Sequence, residues 1–219
     1  MDLTKPTITA FKDSPDRGRG MARDMRVRWA FEEVNQPYDV KLVTFGDMKT
    51  AEYKKLQPFG QIPAYQDGSL VLFESGAIII RIAETHAGLF PKNADARSRA
   101  IGWMFTAVNT VEQPIVDREA TVFVESEKPW FKERLPILDE RVTKRLKDLS
   151  ERLGESDWLE GEFTAGDLMM VTVLRRLLRS GLMAPFPNLE AYVARGEARP
   201  AYQRAYAAQL AVFEASQRK

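Results

Sequence analysis

The sequence predicts a small α/β domain followed by an all-helical domain. Near the start of the chain, Thr7–Lys12 is typical of a strand, Ala22–Val34 of an amphipathic helix and Tyr38–Val43 of a second strand, which together predict a βαβ unit. Asp67-Gly68 lies between two short apolar runs and is typical of a tight hairpin turn. From Ala96 onward only helical periods occur, so no further strand is expected.

The remaining segments complete this division. A short helix is expected at about Thr50–Leu56 and a longer one at Ser75–His86. Gly88–Asp95 contains a C-cap glycine and a proline and is typical of a linker. The predicted domains are therefore residues 1–87 and 96–219, joined by residues 88–95. The helices expected in the second domain are Arg97–Ala120, Lys132–Leu153, Ala165–Ser180, Leu189–Arg195 and Ala201–Ala215.

Composition agrees with two domains and excludes several classes of function. A chain of 219 residues with 44% hydrophobic residues can fill two cores. Its net charge of +1 gives no electrostatic reason to expect binding to nucleic acid or to a membrane surface. No apolar run approaches the length of a membrane span, and Met1–Pro6 has no apolar signal core, so a cytoplasmic location is expected.

Cysteine and histidine usage limits the possible chemistry further. The chain has no cysteine, which excludes disulfides, thiolate metal sites and C-x-x-C redox centres. His86 is the only histidine, so neither a histidine-based triad nor a multi-histidine metal site is expected. Its place before Gly88 is typical of a helix end cap. We therefore expect no bound metal.

The most informative segment is Phe59–Glu84, which combines three pieces of local chemistry in a fixed order. Pro63 stands at the start of a strand, the hairpin follows, and Glu74-Ser75 then opens an apolar helix as its cap. The free N–H groups and the dipole of a helix N-terminus favour an anion. The Ser75 hydroxyl and the nearby backbone are therefore predicted to hold a small carboxylate ligand.

This order of elements resembles the glutathione-binding half of the glutathione S-transferase superfamily, a thioredoxin-like domain. The resemblance implies a cis peptide bond before Pro63 and pairing of the Ile62 backbone with the cysteinyl part of glutathione. It also implies that Gln61 lies beside the glycyl carboxylate and that Glu74 and Ser75 hold the γ-glutamyl end. Glutathione is then the co-substrate, and the fold class is a thioredoxin-like α/β domain followed by an all-α domain.

A second motif lies in the helical half. Thr164 and Asp167 precede the apolar run Leu168–Leu178 and have the spacing of a capping box, in which the acid reaches back to the N-cap amide. The motif is similar to the start of a buried helix in the second domain of the same superfamily, where its role is structural. The resemblance further implies a two-fold homodimer, in which the first domain of one subunit meets the helical domain of the other.

The group that activates the glutathione thiol is expected in or beside the loop Asp13–Met21. A cysteine-like thiol has a pKa of about 8.5 and reacts as the thiolate, so a hydroxyl or cation near the first helix would lower that pKa. In the superfamily this group is a Ser, Tyr or Cys just after the first strand. Counting forward from the strand gives Ser14, whereas counting back from the helix gives Ala22 or Arg23.

The two counts disagree because this loop is several residues longer than the common pattern. Ser14 is the first choice as catalytic donor, and Arg17 and Arg19 are the cationic alternatives. The alternative interpretation is a solvated basic loop in which Ser14-Pro15 is an ordinary N-cap pair.

The second substrate is expected between the domains, along the first long helix of the helical half. Phe105, Asn109 and Glu112 are spaced to share one helix face, and Phe105 and Asn109 are the predicted contacts for a hydrophobic electrophile. Aromatic residues at helical spacing are also common in cores. The expected activity is transfer of glutathione to an electrophile, by conjugation, dehalogenation or peroxide reduction. The alternative is a glutathione-binding or scaffold protein with little or no turnover.

Overall fold

The computed structural model describes residues 5–218 and divides into two compact units. One unit contains the chain up to Phe90 together with the segment from Ala198 onward, and the other is Pro91–Glu197. Met1–Thr4, on which part of the expectation about a signal segment rests, lie outside the described residues, as does Lys219.

The first unit is built on a four-stranded mixed sheet with the strand order β2-β1-β3-β4. β1 (Thr7–Phe11) runs parallel to β2 (Asp39–Val43) and antiparallel to β3 (Ala64–Asp67), which pairs with β4 (Leu70–Phe73). The hairpin turn contains Gly68, whose φ of 59° is the left-handed conformation that such a turn requires. The predicted βαβ unit and hairpin are therefore confirmed.

Three helices accompany the sheet, namely α1 (Asp24–Glu33), α2 (Ala51–Lys54) and α3 (Ser75–Thr85), with a 3₁₀ turn at Asp47–Lys49. His86 ends α3 as the expected cap, because its backbone N–H donates to the Ile82 carbonyl. Its ring also lies 2.9 Å from Oε1 of Gln36. The fully buried core of this thioredoxin-like unit includes Ile8, Trp29, Phe31, Ile78 and Ile79.

The last helix, α9 (Pro200–Gln217), packs against α1. The sequence predicts an amphipathic α1, yet every residue of Asp24–Phe31 is buried. The Gln209 amide of α9 donates a hydrogen bond of 3.0 Å to the Asp24 carboxylate, so this charged group of α1 faces α9 rather than water. α9 therefore belongs to the compact unit of the sheet, whereas the predicted division placed the whole of residues 96–219 in the helical domain.

The second unit is built from helices: α4 (Ala94–Phe105), a π-helical segment (Thr106–Val111), α5 (Glu112–Val124), α6 (Phe131–Leu153), α7 (Ala165–Leu174), a 3₁₀ turn (Arg175–Leu177) and α8 (Pro187–Glu197). The capping box predicted at the start of the buried α7 is confirmed. Thr164 Oγ1 accepts a hydrogen bond from the Gly166 N–H at 3.1 Å, and Asp167 accepts one from the Thr164 N–H at 2.9 Å. The predicted fold class is thus confirmed in both halves.

The long helix predicted at Arg97–Ala120 is interrupted by the π-helical segment. Pro114 lies three residues after its end, and a proline inside a helix lacks the N–H and crowds the carbonyl four residues earlier, here within the π-helical segment. A π turn contains more residues than an α turn, so side chains beyond it are rotated about the helix axis. Phe105 and Asn109 are exposed whereas Glu112 is buried, so the prediction that the three share one face is wrong.

Two negative findings apply to residues 5–218. No helix in that range is long and apolar enough to cross a bilayer. The same range holds no cluster of three or more acidic or histidine side chains that is arranged to bind a metal ion.

Candidate functional site

A chain of hydrogen bonds anchors the segment Gln61–Ala64 to the sheet. The Ala64 N–H donates to Thr9 Oγ1 at 2.8 Å, and the Tyr53 hydroxyl donates to the Gln61 carbonyl at 2.7 Å. The Thr9 and Tyr53 oxygens lie 2.8 Å apart, and because the Tyr53 proton is used on Gln61, Thr9 is the donor between them. Burial raises the pKa of the Tyr53 hydroxyl, which keeps that donor protonated.

Ile62 and Pro63 stand between the two anchored residues, and the peptide bond between them is cis, as the resemblance implied. Across residues 5–218, no partner is found for the Ile62 backbone N–H or C=O, although ordered backbone groups are normally paired. The Ile62 side chain is buried in a cluster with Val43, Met48 and Tyr53. The segment thus presents one unused donor and one unused acceptor, which is how a sheet edge pairs with an extended peptide.

The turn before this segment is held by the buried side chain of Gln57. Its Oε1 accepts hydrogen bonds from the N–H groups of Phe59 at 2.7 Å and Gln61 at 3.2 Å. Gly60 lies between them with a φ of 63°, and a Cβ added there would come within 2.8 Å of the Met48 carbonyl oxygen. The side chain of Gln61 is left exposed next to the anchored segment.

Glu74 and Ser75 lie at the N-terminus of α3, close to the same segment, because the sheet register pairs Phe73 with Ala64. Glu74 occupies the N-cap position with φ 70°, and its exposed side chain makes no cap hydrogen bond, so the predicted capping by this pair is wrong. Side-chain capping requires an extended backbone at the N-cap, which a positive φ excludes. A positive φ at a residue other than glycine is uncommon, and such residues cluster at ligand sites.

Ser75 is buried as the first residue of α3. Its hydroxyl oxygen lies 3.5 Å from Nη1 of Arg26, a buried residue of α1 that donates to it. The helix N-terminus adds backbone N–H groups that have no partner within the helix. An anion bound here would therefore meet a hydroxyl, amide donors and the positive end of the helix dipole.

The loop between β1 and α1 is organised by Asp16. Its Oδ1 accepts hydrogen bonds from the Ser14 hydroxyl at 2.7 Å and the Gly18 N–H at 3.0 Å. Its Oδ2 accepts from the N–H groups of Met21 at 2.6 Å and Ala22 at 2.9 Å. The loop is therefore a closed turn around one carboxylate.

The three predicted catalytic residues of this loop differ in environment. Ser14 is buried and donates its single hydroxyl proton to Asp16, so in this arrangement it has no proton for a thiolate. Arg17 is exposed with φ 58°, and Arg19 is half-buried.

Ala22, the position reached by counting back from the helix, packs against the cluster that contains Ile62. Phe11, at the end of β1, packs against the same cluster. The helix-side end of the loop therefore packs against the same cluster as the Ile62 side chain. Sequence counting alone did not decide between this end and the Ser14 end.

A cavity of about 530 Å³ opens at the carboxyl ends of the parallel strands β1 and β2. The rings of Phe11 and Phe45 form part of its wall, with their centroids 5.0 Å apart. The Phe45 side chain is 54% exposed. The remaining lining residues are Lys12, Asp13, Val43, Thr44, Gly46 and Ser216.

The predicted electrophile contacts lie in the second unit. Phe105 ends α4 and is 55% exposed, whereas Asn109 lies in the π-helical segment. Asn109 lines a groove with basic residues of α6, among them Arg141 and Lys144. The exposed Phe105 ring does not line that groove.

Comparison with known proteins agrees with this geometry. Residues 17–84 match the glutathione S-transferase N-terminal domain, and residues 115–200 match the glutathione S-transferase C-terminal domain. A probable glutathione S-transferase GSTF1 of Oryza sativa subsp. japonica is 31% identical over 193 residues, which cover 82% of this chain and 88% of that protein. The chain belongs to the glutathione S-transferase family.

Other relatives of this transferase family member cover similar lengths. A glutathione S-transferase of Hyoscyamus muticus is 30% identical and covers 83% of this chain and 91% of its own. A solved glutathione transferase from Burkholderia graminis, with two glutathione molecules bound per subunit, has a TM-score of 0.82 at 26% identity and covers 92% of this chain and 87% of its own. Poplar glutathione transferase F1 shares the fold, with a TM-score of 0.81 at 24% identity over 94% of this chain and 98% of its own.

Sequence reasoning missed the side chains that support the Gln61–Ala64 segment and the loop between β1 and α1. Thr9 and Tyr53 are 44 positions apart, and no local pattern pairs them. The side-chain oxygens of Gln57 and Asp16 accept hydrogen bonds from backbone N–H groups two to six residues later in the same turn. Such side-chain acceptors are a local signal of a turn that the sequence could have provided.

Replacing Tyr53 by Phe tests the anchor of the Gln61–Ala64 segment. The change removes the donor to Gln61 and the acceptor for Thr9, so we expect the free energy of unfolding to fall by about 1–2 kcal/mol and glutathione binding to weaken several-fold. Denaturant unfolding and calorimetry measure the two effects.

The control for this change is Tyr65→Phe in β3, which removes a hydroxyl that donates a 3.2 Å hydrogen bond to Asp67 and also interacts with Arg81. If Tyr53→Phe and Tyr65→Phe have equal effects on glutathione affinity, the anchor has no role in binding.

Proposed function

We propose that this protein is a glutathione transferase that binds glutathione through its first unit and presents the thiolate to a hydrophobic electrophile. The observation that carries the proposal is the unpaired backbone of Ile62, held between the anchored residues Gln61 and Ala64. A peptide ligand satisfies both backbone groups at once, as an added strand does.

The binding roles follow from the positions around Ile62. The cysteinyl amide and carbonyl pair with the Ile62 backbone next to Pro63, and the exposed Gln61 lies beside the glycyl carboxylate. Glu74 and Ser75 hold the γ-glutamyl end, where the N-terminus of α3 favours the carboxylate and the exposed Glu74 carboxylate favours the amino group.

Thiol activation is proposed to come from the loop that holds Ser14, Arg17 and Arg19. The Ser14 proton is donated to Asp16, so the arginines and the N-terminus of α1 are the favoured sources of positive potential. Ser14 donates to the thiolate only if its hydroxyl turns away from Asp16. Positive potential lowers the thiol pKa and raises the fraction of glutathione present as the nucleophile.

In the reaction itself, the thiol proton passes to water and the thiolate sulfur forms a bond to the electrophilic atom. The leaving group departs with the electrons of its own bond. The cavity wall formed by Phe11 and Phe45 supports a site for the apolar part of the electrophile. Phe105 and Asn109 of the helical unit stay predicted contacts. A cytoplasmic location, where glutathione keeps thiols reduced, also stays a prediction.

A glutathione-binding protein with little or no turnover is the second possibility. It is favoured by one observation, the commitment of the Ser14 hydroxyl to Asp16, because that leaves the strand-side position without a free proton. Turnover of a panel of electrophiles by the wild-type protein distinguishes the two. Binding of glutathione without turnover of any of them would contradict the transferase.

Ser75→Ala tests the γ-glutamyl contact. Removing the hydroxyl leaves a charged ligand group without one partner, so glutathione affinity should fall by about 1–3 kcal/mol. Isothermal calorimetry measures this. Ser98→Ala, which removes an exposed hydroxyl bonded to the Ala94 carbonyl, is the control and should bind as wild type. An affinity equal to that of Ser98→Ala would remove Ser75 from the site.

We further propose that the protein is a two-fold homodimer that buries the apolar surface formed by Phe59, Val71 and Phe73. Phe59 is 69% exposed and its ring centroid lies 6.1 Å from that of Phe73. Val71 and Phe73 alternate along β4 and so share its exposed face. Large apolar side chains grouped on a surface are typical of an interface, and closed two-fold symmetry is the commonest way to cover one.

Phe59→Ala should shift this dimer toward monomer, because it removes the most exposed ring of the surface. Light scattering at micromolar concentration should report about twice the chain mass of 24.9 kDa for the wild type and a lower mass for the variant. Phe123→Ala, which removes an 80% exposed ring from the other unit, should leave the mass unchanged. A wild-type protein that stays monomeric would contradict the dimer.

A further inference from the structure

The Asp16 carboxylate joins the two ends of the loop between β1 and α1. Its Oδ1 binds the strand-side residues Ser14 and Gly18, and its Oδ2 binds the helix-side N–H groups of Met21 and Ala22. All four distances lie between 2.6 and 3.0 Å. Hydrogen bonds to a carboxylate are stronger than neutral ones, so this one side chain sets the shape of the loop.

Counting from the strand and counting from the helix give Ser14 and Ala22 as positions of the catalytic group, and both residues donate a hydrogen bond to Asp16. Ser14 and Ala22 are eight positions apart, yet each lies within hydrogen-bond distance of Asp16. Ala22 also packs against the cluster that contains Ile62. The carboxylate thus fixes the loop relative to the backbone that is proposed to hold the cysteinyl group of glutathione.

The middle of the loop is fixed separately by α9. Gly18 has φ 68°, and a Cβ added there would lie 3.1 Å from side-chain atoms of Leu210 and Phe213. The loop therefore rests on α9 with little room to move outward. Asp16 closes the turn on the inside, and α9 supports it on the outside.

We infer that Asp16 is a positioning residue for thiol activation in this protein. It holds the loop closed, so that the N-terminus of α1 and the cationic side chains of the loop stay beside the sulfur. The inference rests on the proposed function, because it concerns the thiol of bound glutathione. Asp16 itself carries a negative charge, which by simple proximity would raise the pKa of a nearby thiol.

A positioning role and a direct effect of the Asp16 charge predict shifts of the thiol pKa in opposite directions when Asp16 is removed. If Asp16 acts only through its charge, its removal lowers the thiol pKa and leaves more thiolate at neutral pH. If Asp16 acts by positioning, its removal loosens the loop and the thiol pKa moves back toward its ordinary value of about 8.5. The direction of the shift therefore decides the role.

The test uses Asp16→Ala, which removes all four hydrogen bonds, and Asp16→Asn, whose single amide oxygen can accept from only one of the two ends of the loop. We expect kcat/KM to fall about tenfold to a hundredfold, as for other losses of catalytic alignment. The pKa of the glutathione thiol, followed by thiolate absorbance in the binary complex, should rise, and activity should recover at high pH. Glutathione affinity should stay within about threefold of wild type, because the Ile62 and Ser75 contacts are untouched.

Asp39→Asn is the matched control, since it removes the same charge from an exposed residue at the start of β2. It should leave rate, thiol pKa and affinity unchanged. Hydrogen exchange of the Met21 and Ala22 amides should accelerate in Asp16→Ala, which removes their acceptor, and stay at the wild-type rate in Asp39→Asn. This measurement reports the closure of the loop without any bound glutathione.

Three results would overturn the inference: a thiol pKa that falls or stays the same in both Asp16 variants, unchanged exchange of the two amides, or a loss that appears only as weaker glutathione binding. Failure of the proposed function looks different. Absence of turnover by the wild-type protein would contradict the transferase function. The thiol pKa of the binary complex and the amide exchange rates would still test whether Asp16 positions the loop.

Discussion

The proposed glutathione site depends on one chain of hydrogen bonds, from the Ala64 N–H through the Thr9 and Tyr53 hydroxyls to the Gln61 carbonyl. Each hydroxyl donates once and accepts once, so every proton in the chain is accounted for. These hydrogen bonds satisfy the residues on both sides of Ile62-Pro63, whereas the Ile62 backbone has no partner in the described part of the chain, residues 5–218. A rigid support with one unsatisfied residue is what a preorganised binding edge requires, because the ligand then completes the sheet without reordering it.

A second constraint is the burial of α1 between the sheet and α9. Asp24 and Arg28 form an ion pair of 2.7 Å within this helix, both almost fully buried, and Gln209 of α9 donates to the second Asp24 oxygen. Burial raises the pKa of Asp24 even though these partners favour its ionised form. Such a pair contributes little net stability, but removing one partner would leave a buried charge. Because Gln209 must meet the buried Asp24, the ion pair favours one register of α9 along α1.

Further toward the C-terminal end of α1, the Arg199 guanidinium makes two hydrogen bonds to Glu33, at 2.6 and 2.8 Å. The Trp29 ring also packs edge-on against Tyr202. The same α9 supports Gly18 in the loop that is proposed to activate the thiol. Packing of the last helix is therefore linked to the geometry of a loop near the start of the chain.

Local chemistry explains which features the sequence predicted. The hairpin at Asp67-Gly68, the cis bond before Pro63 and the capping box at Thr164 each depend on a few adjacent residues, together with the family resemblance for the proline. The partnership of Thr9 with Tyr53 and the covering of α1 by α9 depend on contacts between distant positions, which no periodicity reports. Two of the errors had local causes that the pattern did not reveal: the positive φ of Glu74 and the π-helical turn before Pro114.

The most direct test of the central claim is a crystal structure of the protein with glutathione bound. The account predicts that the N–H and C=O of Ile62 each lie about 2.7–3.2 Å from the carbonyl and the amide of the cysteinyl residue, with Gln61 and Ala64 still bonded to Tyr53 and Thr9. Glutathione bound elsewhere, or bound here with the Ile62 backbone contacting only water, would contradict it.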